Sequence, residues 1–262
     1  MRSALAQLAE DPEFYVEPPE GAERILDDRY CVVIGSERRW AGVCHLRFGD
    51  DPAAVAAATG EILGLVGDIE RTMWNVGSSA EPPSLPERLR GLGWRDPEPP
   101  WDPVVAAMVL AEKPPASDAV EIRRIETFDD HLAGLEVMLA SDAFSQEVMA
   151  RERAEARQTF ERRARRGSLQ WLAIVAGKPV AFAIAERSPV GLFLAGGATL
   201  PEARGRGCYR ALVRARWDEA LALGLPGLAV QAQYGSSFPI LRRLGFVETA
   251  TVHTLRSPAT GY

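Results

Sequence analysis

Gly196-Gly197-Ala198-Thr199-Leu200-Pro201-Glu202-Ala203-Arg204-Gly205-Arg206-Gly207-Cys208-Tyr209-Arg210-Ala211-Leu212 decides the fold, because an apolar strand pattern runs through a Gly/Arg turn straight into an amphipathic helix. Glycines let the backbone approach a ligand closely and turn several N–H groups toward one point. The helix adds the positive end of its dipole, and Arg204 and Arg206 add full charge. Such a turn suits a phosphate. A nucleotide P-loop would need GxxxxGK followed by Ser or Thr, but Gly207 is followed by Cys208, Tyr209 and Arg210, with no lysine. A dinucleotide fingerprint would need a third glycine where Arg210 stands.

What remains is the pattern Arg-x-x-Gly-x-small, read from Arg204 through Gly205, Arg206, Gly207 and Cys208 to Tyr209. Here the chain resembles the pyrophosphate loop of the Gcn5-related N-acetyltransferase (GNAT) superfamily, with Tyr209 in the position that usually holds Gly or Ala. The alternative is an ordinary strand-to-helix turn with surface arginines. Context favours the resemblance. Val213, Trp217, Ala220 and Leu221 recur at helical spacing, and Gly224 with Pro226 predicts the helix end. A short β-rich run follows at 227–233. After it come a helix closed by Leu244-Gly245-Phe246 and alternation through Val247, Thr249, Thr251, His253 and Leu255. That Leu-Gly-Phe ending before a last strand is similar to the end of the GNAT fold.

Upstream, 120–125 alternates as a strand, Thr127 caps a helix over 128–139, and Ser145 caps a charged helix over 146–165 that stops at Gly167. Strands at 169–176 and 179–186 flank the turn Gly177-Lys178, and 190–200 forms the strand that enters the Gly/Arg loop. The order βααβββαβαβ over 118–257 resembles a GNAT core in full.

The stretch Lys113-Pro114-Pro115-Ala116-Ser117-Asp118 predicts a domain boundary. Before it, 30–34, 40–48, 72–76 and 104–110 read as strands and 52–65 as a helix. Leu89-Arg90-Gly91-Leu92-Gly93-Trp94 repeats the Leu-Arg-x-Leu-Gly-aromatic ending of Leu241-Arg242-Arg243-Leu244-Gly245-Phe246, which argues for an internal duplication. In the first copy the turn after the strand reads Gly49-Asp50-Asp51-Pro52. Two carboxylates occupy the place of a pyrophosphate, better suited to capping a helix that begins at Pro52. The expected fold class is α/β (α+β) with two GNAT-like domains, a degenerate one over 1–115 and a cofactor-binding one over 116–262. Each has a mixed, mostly antiparallel sheet, flanking helices and a splayed parallel strand pair.

Composition narrows the partners. With 30 Lys+Arg against 36 Asp+Glu the formal charge is −6, which disfavours a broad nucleic-acid face. Cys31, Cys44 and Cys208 lack metal or disulfide-framework spacing, so no metal is expected. No run is long and apolar enough to span a bilayer, and the opening residues lack a signal-peptide pattern. A cytoplasmic protein without a membrane partner is expected, as a monomer or homodimer.

The resemblance implies acetyl-CoA (coenzyme A) as co-substrate. Gly197, Ala198, Thr199 and Leu200 would border the pantetheine, and Arg204, Gly205, Arg206, Gly207, Cys208, Tyr209 and Arg210 would hold the pyrophosphate. It further implies transfer of the acetyl group to a primary amine of a small molecule or peptide by direct attack in a ternary complex. Many GNAT enzymes place a tyrosine acid in the helix before Leu-Gly-Phe; the matching residue here is Leu241. Tyr234 is the substitute acid and Glu186 the candidate base. Their alternatives are a structural tyrosine and a solvated strand-end carboxylate. The competing reading of the whole chain is a non-catalytic acyl-CoA-binding sensor or assembly module.

Overall fold

In a computed structural model the described residues are 3–69, 71–98, 102–115, 120–141 and 145–258. Ala116, Ser117 and Asp118 of the expected linker lie outside them. The chain folds into two compact units, residues 1–109 with 231–262, and residues 110–230.

The first part of the chain gives α1 (Ala4–Glu10), α2 (Pro12–Tyr15), β1 (Glu23–Leu26), β2 (Cys31–Ile34), β3 (Ala41–Cys44), α3 (Pro52–Val66), β4 (Thr72–Gly77), α4 (Leu85–Gly91) and β5 (Val104–Leu110). Next come β6 (Glu121–Arg124), α5 (Phe128–Ser141), α6 (Gln146–Arg166), β7 (Leu169–Val175), β8 (Lys178–Ser188), β9 (Gly191–Thr199), α7 (Cys208–Ala222) and β10 (Leu228–Gln233). The chain closes with α8 (Ser237–Arg243) and β11 (Val247–Arg256). Each unit is mixed α/β, with parallel and antiparallel strands and flanking helices.

In the first unit the strand order is β1-β2-β3-β4-β11-β5, antiparallel throughout except for the parallel pair β3–β4. The last strand of the chain, expected with residues 116–262, therefore completes the sheet of the first unit. The reason lies in its register: Leu255 stands opposite Trp74, and both are fully buried in one apolar cluster with Ile62, Leu85 and Leu89. A bulge between Glu248 and Ala250 interrupts the alternation of β11; Val247 is exposed, and Ala250, Val252 and Leu255 are buried. The face that carries Leu255 buries Thr72, Trp74 and Val76 under α3 and α4, and leaves Met73 and Asn75 half-buried on the other side. Cys31 and Cys44, distant in sequence, face each other across β2 and β3 as free, buried thiols. The contact with Cys31, and after it burial, pushes the Cys44 thiol well up.

In the second unit the order is β10-β9-β8-β7-β6, again with one parallel pair, β9–β10. The Ser145 hydroxyl accepts from the Val148 N–H at the start of α6, and Gly167 ends that helix at φ 72°. Both caps were legible in the sequence. α5 packs tightly on β8: a Cβ added at Gly134 would lie 2.7 Å from the Phe182 ring. Among the described residues no helix is long and apolar enough to cross a membrane.

Candidate functional site

The site is built on β9, the turn after it and α7. The parallel ladder between β9 and β10 is confined to Leu192 opposite Leu228 and Phe193 opposite Ala229. Past Phe193 the two strands no longer pair, so the backbone of β9 through Gly197 and Ala198 to Thr199 is released on that side. On its other side β9 pairs with β8, and the register slips between Ile184 and Glu186. Two steps along β8 there match three along β9, which marks a bulge in β9. A Cβ at Gly197 would come within 3.3 Å of the Phe182 carbonyl oxygen, so the glycine permits this close strand approach.

After Leu200 a short 3₁₀ turn, Pro201–Ala203, leads into the Gly/Arg loop. Gly205 and Gly207 both take left-handed conformations, φ 75° and 84°, and Gly207 is the N-cap of α7. No side chain caps this helix. The first amides of α7, on Cys208, Tyr209 and Arg210, have no intrahelical acceptor by geometry and are left for a ligand. Space above Gly205 is open, with nothing within 4 Å of an added Cβ. Arg204 is engaged by the loop itself: its guanidinium donates to the Thr199 carbonyl at 3.3 Å and the Ser141 carbonyl at 3.5 Å. Arg206 and Arg210 are exposed, with no partner among the described residues. Cys208 is buried, its Sγ donating to the Ala203 carbonyl at 3.9 Å, so it shapes the loop.

The counterpart turn in the first unit is closed. Asp51 caps α3, its Oδ1 accepting from the Ala53 N–H at 3.0 Å, with Pro52 as the first helical residue. The N-terminal segment also spans the ends of the parallel pair β3–β4. The Asp11 carboxylate accepts from the His45 N–H after β3 at 3.1 Å, and Glu10 accepts from the Ser79 N–H after β4 at 2.6 Å. Glu10 lies so close to Gly77 that any Cβ there would overlap it at 2.2 Å.

The two candidate proton-transfer residues fall in different units. Glu186 on β8 is buried and held: the Ser168 hydroxyl donates to its Oε1 at 2.9 Å, and Arg166 Nε is 3.7 Å from Oε2. Tyr234 belongs to the first unit, is 38% exposed and donates its hydroxyl to Glu248. Burial, followed by that bond, raises the tyrosine pKa. Leu241 is fully buried in α8.

One residue of the site is not foreseen by the loop motif. Arg216 in α7 is fully buried and has no carboxylate partner among the described residues. Its Nε donates to Leu212 O at 3.1 Å and Nη1 to Ile184 O at 3.4 Å, beside the register slip, while Nη2 has no hydrogen-bond partner among the described residues. Its guanidinium carbon lies 5.8 Å from the centroid of the Tyr209 ring, a cation–π contact; burial lowers the Arg216 pKa and raises that of Tyr209. The signal is present in the helix period, since 216 lies with Val213, Trp217 and Ala220 on the buried stripe. Leu221, expected on that stripe, is 52% exposed.

Under α5 and α6, buried His131 contacts Gln170 Oε1 through Nδ1 at 3.1 Å, Arg163 donates to the same oxygen at 3.1 Å, and His131 Nε2 has no partner among the described residues. Burial holds the His131 pKa below its ordinary 6.5. As pH falls below that value, the unfolded chain takes up the proton before the folded one. The stability contribution is thus complete above about 6.5 and is lost toward the lower folded value. The expected result is a stability that declines as pH falls below about 6.5 and a shallower decline in His131→Gln, read from urea midpoints across pH.

No family model matches the chain, and no curated protein matches it. Solved structures do. A GCN5-related N-acetyltransferase from Kribbella flavida superposes with a TM-score of 0.68 at 17% identity, over 98% of this chain and 97% of that one. A tandem GNAT protein from the clavulanic acid biosynthesis pathway gives 0.62 at 14% identity, over 98% and 88%. A GCN5-related N-acetyltransferase from Sphaerobacter thermophilus gives 0.54 at 14% identity, over 90% and 85%.

Proposed function

From a chain with a tandem GNAT superfamily fold, we propose that the second unit binds an acyl-CoA, acetyl-CoA in the first instance, and passes its acyl group to a primary amine. The observation that carries this reading is the uncapped start of α7 behind two left-handed glycines, next to a β9 edge that β10 leaves unpaired. Amides at the start of α7 and the free charge of Arg206 suit a pyrophosphate, and the β9 edge at Gly197 and Ala198, which β10 leaves unpaired, suits the amides of a pantetheine arm. Arg204 holds the loop to the end of β9, which keeps the phosphate cradle and the strand edge in fixed relation. When bound, the thioester supplies an activated carbonyl. The chain contributes orientation beside the bulge and backbone donors to a developing oxyanion.

The amine must lose a proton during attack, and a departing thiolate gains from an acid. Glu186 and Tyr234 remain the proposed base and acid. Both are already engaged, Glu186 by Ser168 and Arg166 and Tyr234 by Glu248. That engagement favours the second reading, an acyl-CoA sensor without turnover. One experiment separates the two: release of free coenzyme A from acetyl-CoA, measured across polyamines, amino acids, aminoglycosides and peptide N-termini. Transfer predicts amine-dependent release that falls at least about tenfold in Glu186→Gln, of the order seen when a general base is removed. Tight binding of acetyl-CoA with no release on any amine supports the sensor.

A further inference from the structure

The first unit lacks the cover that the same sheet face has in the second. In the second unit α5 and α6, 14 and 21 residues long, follow the first strand and α5 packs on the sheet. In the first unit the helices on this face, α1 and α2, precede β1 and have only 7 and 4 residues. They cover the end of the face at Gly77 and leave the other end open. There the antiparallel register sets Met73 opposite Arg256 and Asn75 opposite Thr254, so these four side chains and Arg71 share one face. A cavity of about 490 Å³ opens above them, walled by Glu13 of α2 and by Trp40.

Its chemistry is two-ended. Arg71 and Arg256 make no side-chain hydrogen bond or ion pair among the described residues, so two guanidinium groups on neighbouring strands remain available to an anion. Glu98 also lines the cavity, and so does the Glu13 carboxyl. Glu13 Oε1 receives only a long bond from Asn75 Nδ2, 3.4 Å, and the buried Glu13 Oε2 has no partner among the described residues. An acceptor left short of donors in this way is costly, and an incoming ammonium group relieves it. Trp40 and Met73 supply apolar surface between the ends, and the volume is within the range of small-molecule sites.

We propose that this cavity in the first unit is a binding site for a free α-amino acid, with its carboxylate at Arg71 and Arg256 and its ammonium group at Glu13. A dicarboxylate or a nucleotide would set negative charge against Glu13, and a simple amine would leave both arginines unused. The site is independent of the acyl-CoA reading, because all its residues lie in the first unit.

The test is calorimetric titration of the intact chain, without acyl-CoA, using each proteinogenic L-amino acid in turn. The expected result is one-to-one saturation by at least one of them below about 10 mM, with its N-acetyl and methyl-ester derivatives at least about tenfold weaker. Arg71→Ala/Arg256→Ala and Glu13→Gln should each weaken binding by a similar factor, and Gly207→Glu should leave it unchanged. No saturation by any amino acid, equal binding of the N-acetyl derivative, or binding that survives the double arginine change would overturn the proposal. The derivative comparison uses the unaltered chain, so it decides the matter even where a variant fails to fold.

Discussion

Gly207→Glu is expected to abolish the stabilisation that the proposed binding of acetyl-CoA gives the chain. At a hundredfold excess over the dissociation constant, a ligand that binds only the folded state raises stability by about 2.7 kcal/mol. The variant should lose that shift entirely. Gly207 holds φ 84° at the N-cap of α7, a conformation that a side-chain-bearing residue adopts only with strain, about 1–3 kcal/mol. The new carboxylate stands at the positive end of the helix, where the pyrophosphate is proposed to sit, so like charges meet in place of anion and dipole. Melting curves with and without acetyl-CoA check the result. A parent that shifts together with a variant that shifts equally would place the ligand elsewhere.

Trp74→Ala carries the largest expected cost in stability, about 3–5 kcal/mol. Trp74 is the largest fully buried side chain among the described residues, and its ring meets Trp94 edge-on with centroids 5.2 Å apart. It also stands opposite Leu255, so it anchors the chain's last strand to β4. A cavity there strips contacts from α3, α4 and β11 together. Urea denaturation of the variant should show a transition at markedly lower denaturant. An unfolding free energy within about 0.5 kcal/mol of the parent would mean that this core repacks freely around the loss.

Much of the second unit is legible in the sequence, because its signals are local. Ser145 and Gly167 bracket α6, Gly177 turns the β7–β8 hairpin at φ 75°, and the Gly205/Gly207 turn leads into α7. Asp51 and Pro52 at the start of α3 are readable for the same reason. What escapes the sequence depends on partners far along the chain. The alternation of β11 says that it is a strand, but only its packing on Trp74 assigns it to the first unit. Arg216 carries a charge on the buried stripe of α7, and its purpose emerges only where the slip between β8 and β9 brings Ile184 O within reach. Glu10 and Asp11 read as ordinary acidic residues. Their role in bridging the ends of β3 and β4 depends on residues more than thirty positions away.

We propose that only one of the two units has a working phosphate turn. In one half Gly207 leaves the helix start uncapped; in the other Asp51 occupies it and Glu10 and Asp11 close the strand ends. Equilibrium titration of the intact chain with acetyl-CoA tests this most directly. The account predicts saturation at one acetyl-CoA per chain, abolished by Gly207→Glu. Two equivalents per chain, or one equivalent that persists in Gly207→Glu, would contradict it.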